Sequence, residues 1–454
     1  MNKQTHANPK PVPATHASPQ PTQLGPLPEE WRVVRLGEQI IQSTKKNKEK
    51  ARISVYTVSN IQGFVLSDEF FDKRVYSRDL SNYKVVEKGD FAYNPYRINV
   101  GSLGLFKNEN PGLVSPAYVV FRMRPNAQLD QQFLYLLLKS DKWLSEIRRF
   151  SMSRGSVRRS LAFEDLANLS IPLPPLAEQR AIAHVLRAVQ RAREATERVI
   201  AATRELKKSL MRHLFTYGPV PVDATDDVDM QETDIGPIPA HWLVVKLGQT
   251  VILRSRAVSP SETPQARYVG LEHLDSGEIR IKRHGYALET KSAKFVFNPG
   301  NILYGKLRPY LDKSALAEWS GVCSTDILVL IPTKQVDPVF TAYLMHSSFV
   351  LQHAIVTTSG VNHPRTSWRA LSQALIPLPP LSEQREIAHI LQAVDRKLAA
   401  EEARRQALEA LFKTLLHDLM TARRRLPADF IDPFAAGMQG LAPLPMDSYR
   451  EISL

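Results

Sequence analysis

The chain has 454 residues, of which 43% are hydrophobic and 23% are charged, and its formal net charge is +13. A chain of this length exceeds one ordinary core and predicts two or more domains. The basic excess favours a polyanionic partner, nucleic acid above all. The single cysteine, Cys323, excludes an internal disulfide and cannot form a zinc site alone, so we expect a reducing, cytoplasmic location. No apolar run approaches the roughly 20 residues that a transmembrane helix needs.

Residues 1–23 open the chain with many Pro, Thr, Ala and His residues and no apolar signal core. This composition predicts a disordered Pro-rich tail, not a targeting peptide. Directly after it, a Gly-Pro-x-Pro turn leads to Trp31 and a short Val-Val strand, the first structural signal of the chain.

Two long segments of the sequence occur twice. Residues 24–37 return as 235–248, 211 residues later, and residues 171–184 return as 376–389, 205 residues later. Two matches at nearly the same offset indicate an internal duplication. Each half therefore has the same order: an opening turn and strand, a body rich in short β-like stretches, a Pro-Leu-Pro-Pro linker and a long helix.

This order predicts an α+β protein with two target-recognition domains, whose β-rich cores are joined by two long antiparallel helices that form a coiled coil. The predicted segments are a disordered Pro-rich tail (1–23), a first recognition domain (24–172), a first spacer helix (173–217), an acidic linker (218–234), a second recognition domain (235–377), a second spacer helix (378–424) and a C-terminal tail (425–454).

The two bodies share a layout but little sequence. Residues 89–97 lie where 300–308 lie in the second half, and 114–121 correspond to 322–329. Both pairs predict strands with an adjoining turn, and Cys323 within one of them is interpreted as a small core residue. A common skeleton with divergent surfaces indicates two versions of one reader with different targets.

The spacer helices show a long apolar stripe. Apolar residues recur in steps of three and four from Ile182 to Leu210 and again from Ile387 to Leu419. We expect the two helices to pack against each other antiparallel, because the chain crosses a whole domain between them. The alternative is that each helix only covers its own domain.

Basic residues cluster at equivalent places in the two halves and are candidates for contact with DNA phosphates or bases. The first cluster, within 148–159, has interleaved Ser and Gly that suit a loop, and no carboxylate follows it until Glu164; the second lies within 363–369. Two further arginines follow the repeated strands. The candidates are Arg97, Arg148, Arg149, Arg154, Arg158, Arg159, Arg308, His363, Arg365 and Arg369.

Three fragments resemble catalytic motifs without satisfying them, so we predict neither a catalytic centre nor a metal site. Asn94-Pro95-Tyr96 lacks the second proline of the adenine-methyltransferase motif and has no equivalent in the second half. The segment 300–307 imitates a phosphate-binding loop, but a leucine replaces the Ser or Thr that binds magnesium, and its bulky interior belongs to a strand. His184 and His389 are equivalent, yet neither has a second ligand at helical spacing.

The doubled Pro-Leu-Pro-Pro-Leu-(Ala/Ser)-Glu-Gln-Arg-x-Ile-Ala-His motif after Gly-Pro-x-Pro-x-x-Trp domains resembles the specificity subunits of type I restriction-modification enzymes, from Leu24 to about Arg425. The resemblance implies that each variable domain reads one half of a bipartite, asymmetric site in double-stranded DNA, and that the helices set the gap and dock two modification subunits. It also implies that those partners bind S-adenosylmethionine, while restriction subunits with ATP and Mg can join. By position, the docking candidates are Glu178, Gln179, Arg180, Glu383, Gln384 and Arg385.

Two other functions remain open from the sequence alone. One is a coiled-coil scaffold whose two variable domains bind proteins. The other is a self-sufficient DNA methyltransferase or nuclease. Because the residues show no catalytic constellation, the main prediction is a non-catalytic DNA-binding subunit that leaves methylation and cleavage to its partners.

Overall fold

Two structural units divide the chain, and each contains one of the two sequence repeats. A computed structural model describes residues 20–152, 160–360 and 362–436. The first unit combines Met1–Ala195 with Arg405–Leu454, and the second is Thr196–Arg404. Each unit therefore takes one half of each spacer helix, which run over Leu176–Tyr217 and Leu381–Met420.

The first unit is built from short strands that alternate with turns. Its strands are Gln20–Thr22, Gly25–Leu27, Arg32–Arg35, Ile40–Ser43, Tyr56–Ser59, Gly63–Leu66, Lys84–Val86, Phe91–Tyr93, Leu103–Leu105, Gly112–Val114, Val119–Met123 and Ser170–Leu173. Its short helices are Ser67–Phe70, Gln131–Lys139, Asp141–Met152, Phe163–Ala167 and Ala428–Ala435, with 3-10 turns at Leu36–Glu38 and Ile98–Val100.

Among the described residues, the second unit has a similar order of elements, with one more strand and more 3-10 turns. Its strands are Met230–Gln231, Ile238–Pro239, Leu243–Lys246, Val251–Arg254, Ala257–Val258, Arg267–Val269, Gly285–Tyr286, Lys294–Phe297, Ile302–Gly305, Ser314–Leu316, Gly321–Cys323, Ile327–Pro332 and Leu375–Leu378. Its short helices are Leu247–Thr250, Pro338–Leu344, Ser348–Val356 and Trp368–Leu371, with 3-10 turns at Val222–Asp227, Pro260–Glu262, Leu271–His273, Ala287–Glu289 and Pro309–Leu311.

A four-stranded antiparallel sheet of the same order lies in both units. Its order is Ile40–Ser43, Val119–Met123, Phe91–Tyr93, Leu103–Leu105 in the first and Val251–Arg254, Ile327–Pro332, Ile302–Gly305, Ser314–Leu316 in the second. Cross-strand pairs stabilise it, as where Phe91 stacks on Phe121 with ring centroids 4.8 Å apart. Within the repeated segments, residues 91–93 and 119–121 are therefore confirmed as strands equivalent to residues 302–305 and 327–329.

The second sheet is more continuous in the second unit than in the first. In the first unit, Lys84–Val86 pairs with Gly112–Val114, isolated bridges join Lys46 to Lys84 and Val55 to Leu113, and Tyr56–Ser59 forms a hairpin with Gly63–Leu66. In the second unit, the corresponding strands are part of one five-stranded sheet. Cys323 lies in that sheet with its side chain fully buried, and burial raises the pKa of its thiol to about 12. The interpretation of this cysteine as a core residue is confirmed.

The repeated opening strand pairs with the repeated strand before the long helix. Arg32–Arg35 is antiparallel to Ser170–Leu173, and Leu243–Lys246 is antiparallel to Leu375–Leu378. Prolines in the two later strands are tolerated because these two-stranded ribbons consist of edge strands only. The two segments that match between the halves are therefore direct structural partners.

The spacer helices share a core within the first unit. Leu186 and Val189, near the start of the first long helix, belong to one hydrophobic cluster with Leu408 and Leu415, near the end of the second. Pro175 precedes the first helix, and Gly218, with a φ of +85°, ends it.

The opposite halves of the helices meet within the second unit. Leu210 and Leu214, near the end of the first long helix, pack with Ile387 and Leu391, near the start of the second. In both units, therefore, the start of one helix contacts the end of the other, which confirms the antiparallel arrangement. The alternative in which each helix covers only its own domain is wrong.

Three predicted segment boundaries need correction. Residues 20–22, placed in the disordered tail, form a strand with Gly25–Leu27, because Thr22 and Gly25 close a tight turn. The predicted linker already contains Met230–Gln231, which pairs with Ile238–Pro239. The predicted C-terminal tail contains the helix Ala428–Ala435, whose Phe434 is buried in the first core.

No single helix within the described ranges is long and apolar enough to cross a membrane. Two helices joined by a bend, Pro338–Leu344 and Ser348–Val356, are together long and apolar enough to cross one, by length and composition only. Phe340 and Val350 of that pair are fully buried in the core of the second unit.

Candidate nucleic-acid interface

The loop after the strand Phe91–Tyr93 presents a cationic and an aromatic side chain to solvent. The Asn94 side chain accepts a hydrogen bond from the Tyr96 backbone N–H at 3.0 Å, which folds the loop into an Asx-turn. Arg97 is exposed, and Tyr96 is 54% exposed. The Asn94 side-chain oxygen therefore stabilises the turn that carries Tyr96 and Arg97.

The equivalent loop of the second unit is strained and also exposed. Arg308 has a φ of +51°, in the left-handed region that side chains rarely adopt, and it begins the turn Pro309–Leu311. Tyr310 beside it is 54% exposed. A strained backbone that holds an arginine outward is typical of a functional loop.

Hydrogen bonds join Arg308 to the second basic cluster. The Arg308 backbone N–H donates to the Pro364 carbonyl at 2.7 Å, and Leu307 and Arg365 form a β-bridge. His363 and Arg365 are exposed, and Arg365 forms a half-exposed ion pair with Asp326 at 3.4 Å. The structure therefore brings together three of the predicted second-half candidates, while Arg369 lies exposed on the following helix, Trp368–Leu371.

The first unit repeats this junction. The Leu161 backbone N–H donates to the Pro95 carbonyl at 3.1 Å, and the Arg148 guanidinium donates to the Asn99 carbonyl at 3.0 Å. The end of the first basic cluster therefore lies against the loop that carries Arg97. Three further candidates, Arg154, Arg158 and Arg159, lie outside the described residues.

Two details of the first cluster differ from the prediction. Arg148 and Arg149 lie on the helix Asp141–Met152 and not in a loop, because Trp143 and Ile147 form its buried apolar face. Arg149 also has a carboxylate partner one turn earlier, Glu146, at 2.8 Å. This pair is largely exposed, so it leaves the guanidinium accessible to another anion.

Sequence reasoning missed the exposed tyrosines. Tyr96 and Tyr310 adjoin the arginines in both loops, where a planar ring can stack on a nucleobase or pack against a sugar. The sequence does contain a signal for them, because in both loops a tyrosine stands next to or near an arginine within a polar turn.

The repeated Glu-Gln at each helix start has an internal structural role. The indole N–H of Trp31 donates to Glu178 at 2.9 Å, and that of Trp242 donates to Glu383 at 2.8 Å. Glu178 is 2% exposed. In each unit, a carboxylate on the long helix therefore anchors the opening tryptophan of the domain.

The glutamines fix a second helix start. Gln179 accepts a hydrogen bond from the Asp130 backbone N–H at 2.7 Å, and Gln384 accepts one from Asp337 at 2.8 Å. Both glutamines are fully buried, and both aspartates cap the helix that follows them. Contact with another subunit requires an accessible side chain, so Glu178, Gln179 and Gln384 are not available for docking.

The remaining docking candidates are more accessible. Arg385 is exposed and Glu383 is partly exposed, whereas Arg180 is half-buried and donates to the Phe434 carbonyl at 3.4 Å. Nearby, His184 packs against Phe434, with ring centroids 5.4 Å apart. Burial, together with neighbouring arginines, lowers the pKa of His184.

Comparison with known protein families identifies the family of this chain. The model of the type I restriction modification DNA specificity domain matches residues 28–202 and 267–410, which is more than half of the chain. The chain belongs to this family. It is a non-catalytic specificity subunit, and its partners are DNA and other subunits of a restriction-modification system.

Relatives of this specificity subunit match it over nearly the whole chain. The MjaVIII specificity subunit of Methanocaldococcus jannaschii is 24% identical over 418 residues, which covers 88% of this chain and 94% of the relative. The EcoDI specificity subunit of Escherichia coli is 24% identical over 383 residues, covering 80% and 81%. The crystal structure of a type I S subunit from M. genitalium is 16% identical with a TM-score of 0.54, covering 86% of this chain and 96% of that one, and shows the same fold.

The other motif-like fragments of the specificity subunit are structural. Ile302–Gly305, within the segment that imitates a phosphate-binding loop, is a fully buried strand. Within the described part of the chain, no group of three His, Cys, Asp or Glu residues is arranged to hold a metal ion.

Proposed function

We propose that each structural unit of this specificity subunit reads one half of a bipartite, asymmetric site in double-stranded DNA. The long helices would set the gap between the halves and dock two modification subunits, which bind S-adenosylmethionine and methylate adenine. Where restriction subunits join, they would bring ATP and Mg. The subunit would act in the cytoplasm, where its single buried thiol stays reduced.

One observation carries this proposal: an exposed arginine and tyrosine occupy the loop after the same strand in both units. Arg97 with Tyr96 and Arg308 with Tyr310 each adjoin the basic cluster of their own unit. Guanidinium groups bind phosphates and, in the major groove, the O6 and N7 acceptors of guanine. One such surface in each unit would allow the chain to bind two segments of DNA.

Divergence between the halves supports an asymmetric target. A homodimer of one recognition domain would present identical surfaces and require a symmetric site. In this chain the structural hydrogen bonds of Trp31 and Trp242 are repeated, whereas the loops around Arg97 and Arg308 differ in sequence and backbone conformation. The conserved contacts maintain geometry, and the diverged loops allow each half to read different bases.

The test is to change the second surface alone. Cells that express the modification subunits with the Arg308→Gln/Arg365→Gln variant are compared with unaltered cells by methylation-site sequencing. We expect a relaxed or lost second half-site and an unchanged first half-site. For the purified variant complex, the plot of log binding constant against log salt concentration should become shallower, by roughly 0.9 in slope for each phosphate contact removed.

The matched control is Arg283→Gln, which changes an exposed arginine elsewhere in the same unit. It should leave both half-sites and the salt slope unaltered. Identical methylation patterns and salt dependences for all three proteins would contradict the assignment of these loops to DNA.

A further inference from the structure

Two cavities lie at equivalent places in the two units. Each is bounded by a loop of the recognition domain, the junction of two short helices and both long helices. The first has a volume of about 380 Å³ and the second about 570 Å³. Lys139 lines the first, nine residues after the helix cap Asp130, and His346 lines the second, nine residues after the equivalent cap Asp337. The duplication thus produced two related cavities.

In the second cavity, the lysine and arginine side chains are paired with carboxylates. Each of its four basic side chains has a carboxylate partner within 3.0 Å: Lys207 with Asp395, Arg204 with Glu402, Lys282 with Glu278 and Lys208 with Glu205. Because its cations are neutralised internally, this cavity has no excess charge that an outside ion would satisfy.

The first cavity differs at two lysines that line it. The Lys139 ammonium donates to the Asn60 carbonyl at 2.7 Å, and the Lys142 ammonium donates to the Leu24 carbonyl at 3.1 Å. Neither ammonium forms an ion pair with any residue that the structure describes. Burial lowers the pKa of Lys139 to about 8. Burial also lowers the pKa of Lys142, against the nearby Glu146 carboxylate, which raises it, and together with Arg423, which lowers it further.

The remaining lining adds a neutral donor and little negative charge. Trp143 lines the cavity and is 1% exposed, and its indole N–H has no acceptor among the described residues. The carboxylate of Glu409 is held by Lys413 at 3.1 Å, and Asp141 is exposed at a helix start. Partly desolvated ammonium groups that form no ion pair are unfavourable, and a bound anion would reduce that penalty.

We propose that the first cavity is an oxyanion site that takes a phosphate group, held by Lys139, Lys142 and Trp143. Each ammonium offers three donors, and the indole offers one. A tetrahedral phosphate can accept from all three side chains at once, and it carries more negative charge than a carboxylate to offset the two ammonium groups. The lining joins the first recognition domain to both long helices, so a bound phosphate would stabilise the first unit selectively.

Titration of the purified full-length chain with inorganic phosphate and with pyrophosphate tests the site. We expect saturable binding by calorimetry, with a change in the Trp143 fluorescence that is absent from Trp143→Phe. Lys139→Met/Lys142→Met should weaken binding at least about 100-fold, since each charge-assisted hydrogen bond contributes about tenfold or more. Affinity should fall as the pH rises above about 8, where Lys139 loses its proton.

Methionine keeps the apolar stem of lysine, so the double variant should fold, and its circular dichroism and unfolding midpoint are measured alongside. The matched control is Lys208→Met in the second cavity, which should bind phosphate like the unaltered chain. No saturable binding of either probe, or equal binding by the double variant, would overturn the proposal.

A second arm distinguishes the source of the phosphate. Duplex DNA is titrated with and without saturating pyrophosphate. Competition that disappears in the double variant assigns the site to a backbone phosphate of DNA, and unchanged DNA affinity assigns it to a free phosphate compound. Both results support a phosphate site and do not depend on the proposed half-site readers.

Discussion

At the scale of single residues, Glu178 shows how hydrogen bonds and an ion pair stabilise a buried carboxylate. Its carboxylate accepts from the Trp31 indole and from two nitrogens of Arg425, at 3.0 and 2.9 Å, and Arg425 also contacts Glu30. The second unit lacks this arginine and uses His241, whose ring nitrogen lies 2.7 Å from Glu383. The same tryptophan anchor is thus completed by different side chains in the two halves.

We predict that Arg425→Met lowers the free energy of unfolding of the first unit by about 3 kcal/mol. The substitution removes two charge-assisted hydrogen bonds and leaves the 2% exposed Glu178 with only the Trp31 indole. Urea denaturation followed by tryptophan fluorescence measures the loss, and hydrogen exchange around Trp31 locates it.

Lys413→Met provides the comparison, because Lys413 pairs with Glu409 on the surface of the second long helix and is 71% exposed. An exposed pair of this kind contributes little to the free energy of unfolding. If both variants lowered the free energy of unfolding by the same small amount, the prediction that the buried ion pair of Arg425 stabilises the first unit would be wrong.

At the scale of elements, a polar cluster connects the long helices of the second unit. Lys207 pairs with Asp395 at 2.7 Å, and Asp395 accepts a hydrogen bond from the Tyr343 hydroxyl at 2.7 Å. Burial, and then this hydrogen bond, raise the pKa of Tyr343 above its usual range. The equivalent positions of the first unit are Leu136, Gln190 and Phe412, which have no ionisable side chain. One half therefore packs through charges where the other packs through apolar and neutral groups.

We predict that Asp395→Asn destabilises the second unit by about 3 kcal/mol, because it leaves the buried Lys207 ammonium without a counter-charge. The first unit should be unaffected. Hydrogen exchange of the two units, measured separately by mass spectrometry, checks the difference. Adding Lys207→Met should restore much of the stability; a double variant as unstable as Asp395→Asn would contradict the charge argument.

At the scale of the whole molecule, the long helices are the elements that both units share. Each crosses from one unit to the other, at Ala195 in the first helix and at Arg404 in the second. Under the proposed function, lengthening both helices at these points changes the gap between the half-sites without changing either reader.

We predict that four helix-forming residues inserted after Ala195, with four more after Arg404, lengthen the gap by one or two base pairs. Four residues add about 6 Å and about 40° of net rotation, while one base pair adds about 3.4 Å and roughly 35°. Methylation-site sequencing should recover both half-sites at the new spacing. An insertion in only one helix is the control and should abolish methylation, since it places the paired seams out of register.

The sequence by itself determined the architecture. Repeats, three-and-four periodicity and turn residues are local signals, and they sufficed to predict two β-rich bodies, two antiparallel helices and the equivalence of 89–97 with 300–308. The same local reasoning was wrong about Arg148, because a helix through Trp143 and Ile147 forms only when its apolar face has a core to bury against. The C-terminal helix Ala428–Ala435 was missed for the same reason.

The tertiary structure decided which side chains meet and which charges are neutralised. Trp31 and Glu178 are 147 residues apart, and Arg425 lies 247 residues from the same carboxylate. No local pattern encodes such contacts, because each partner's environment depends on how distant segments pack. Only the fold could therefore separate the buried Glu-Gln motif from an exposed docking surface, and the unpaired lysines of the first cavity from the paired cations of the second.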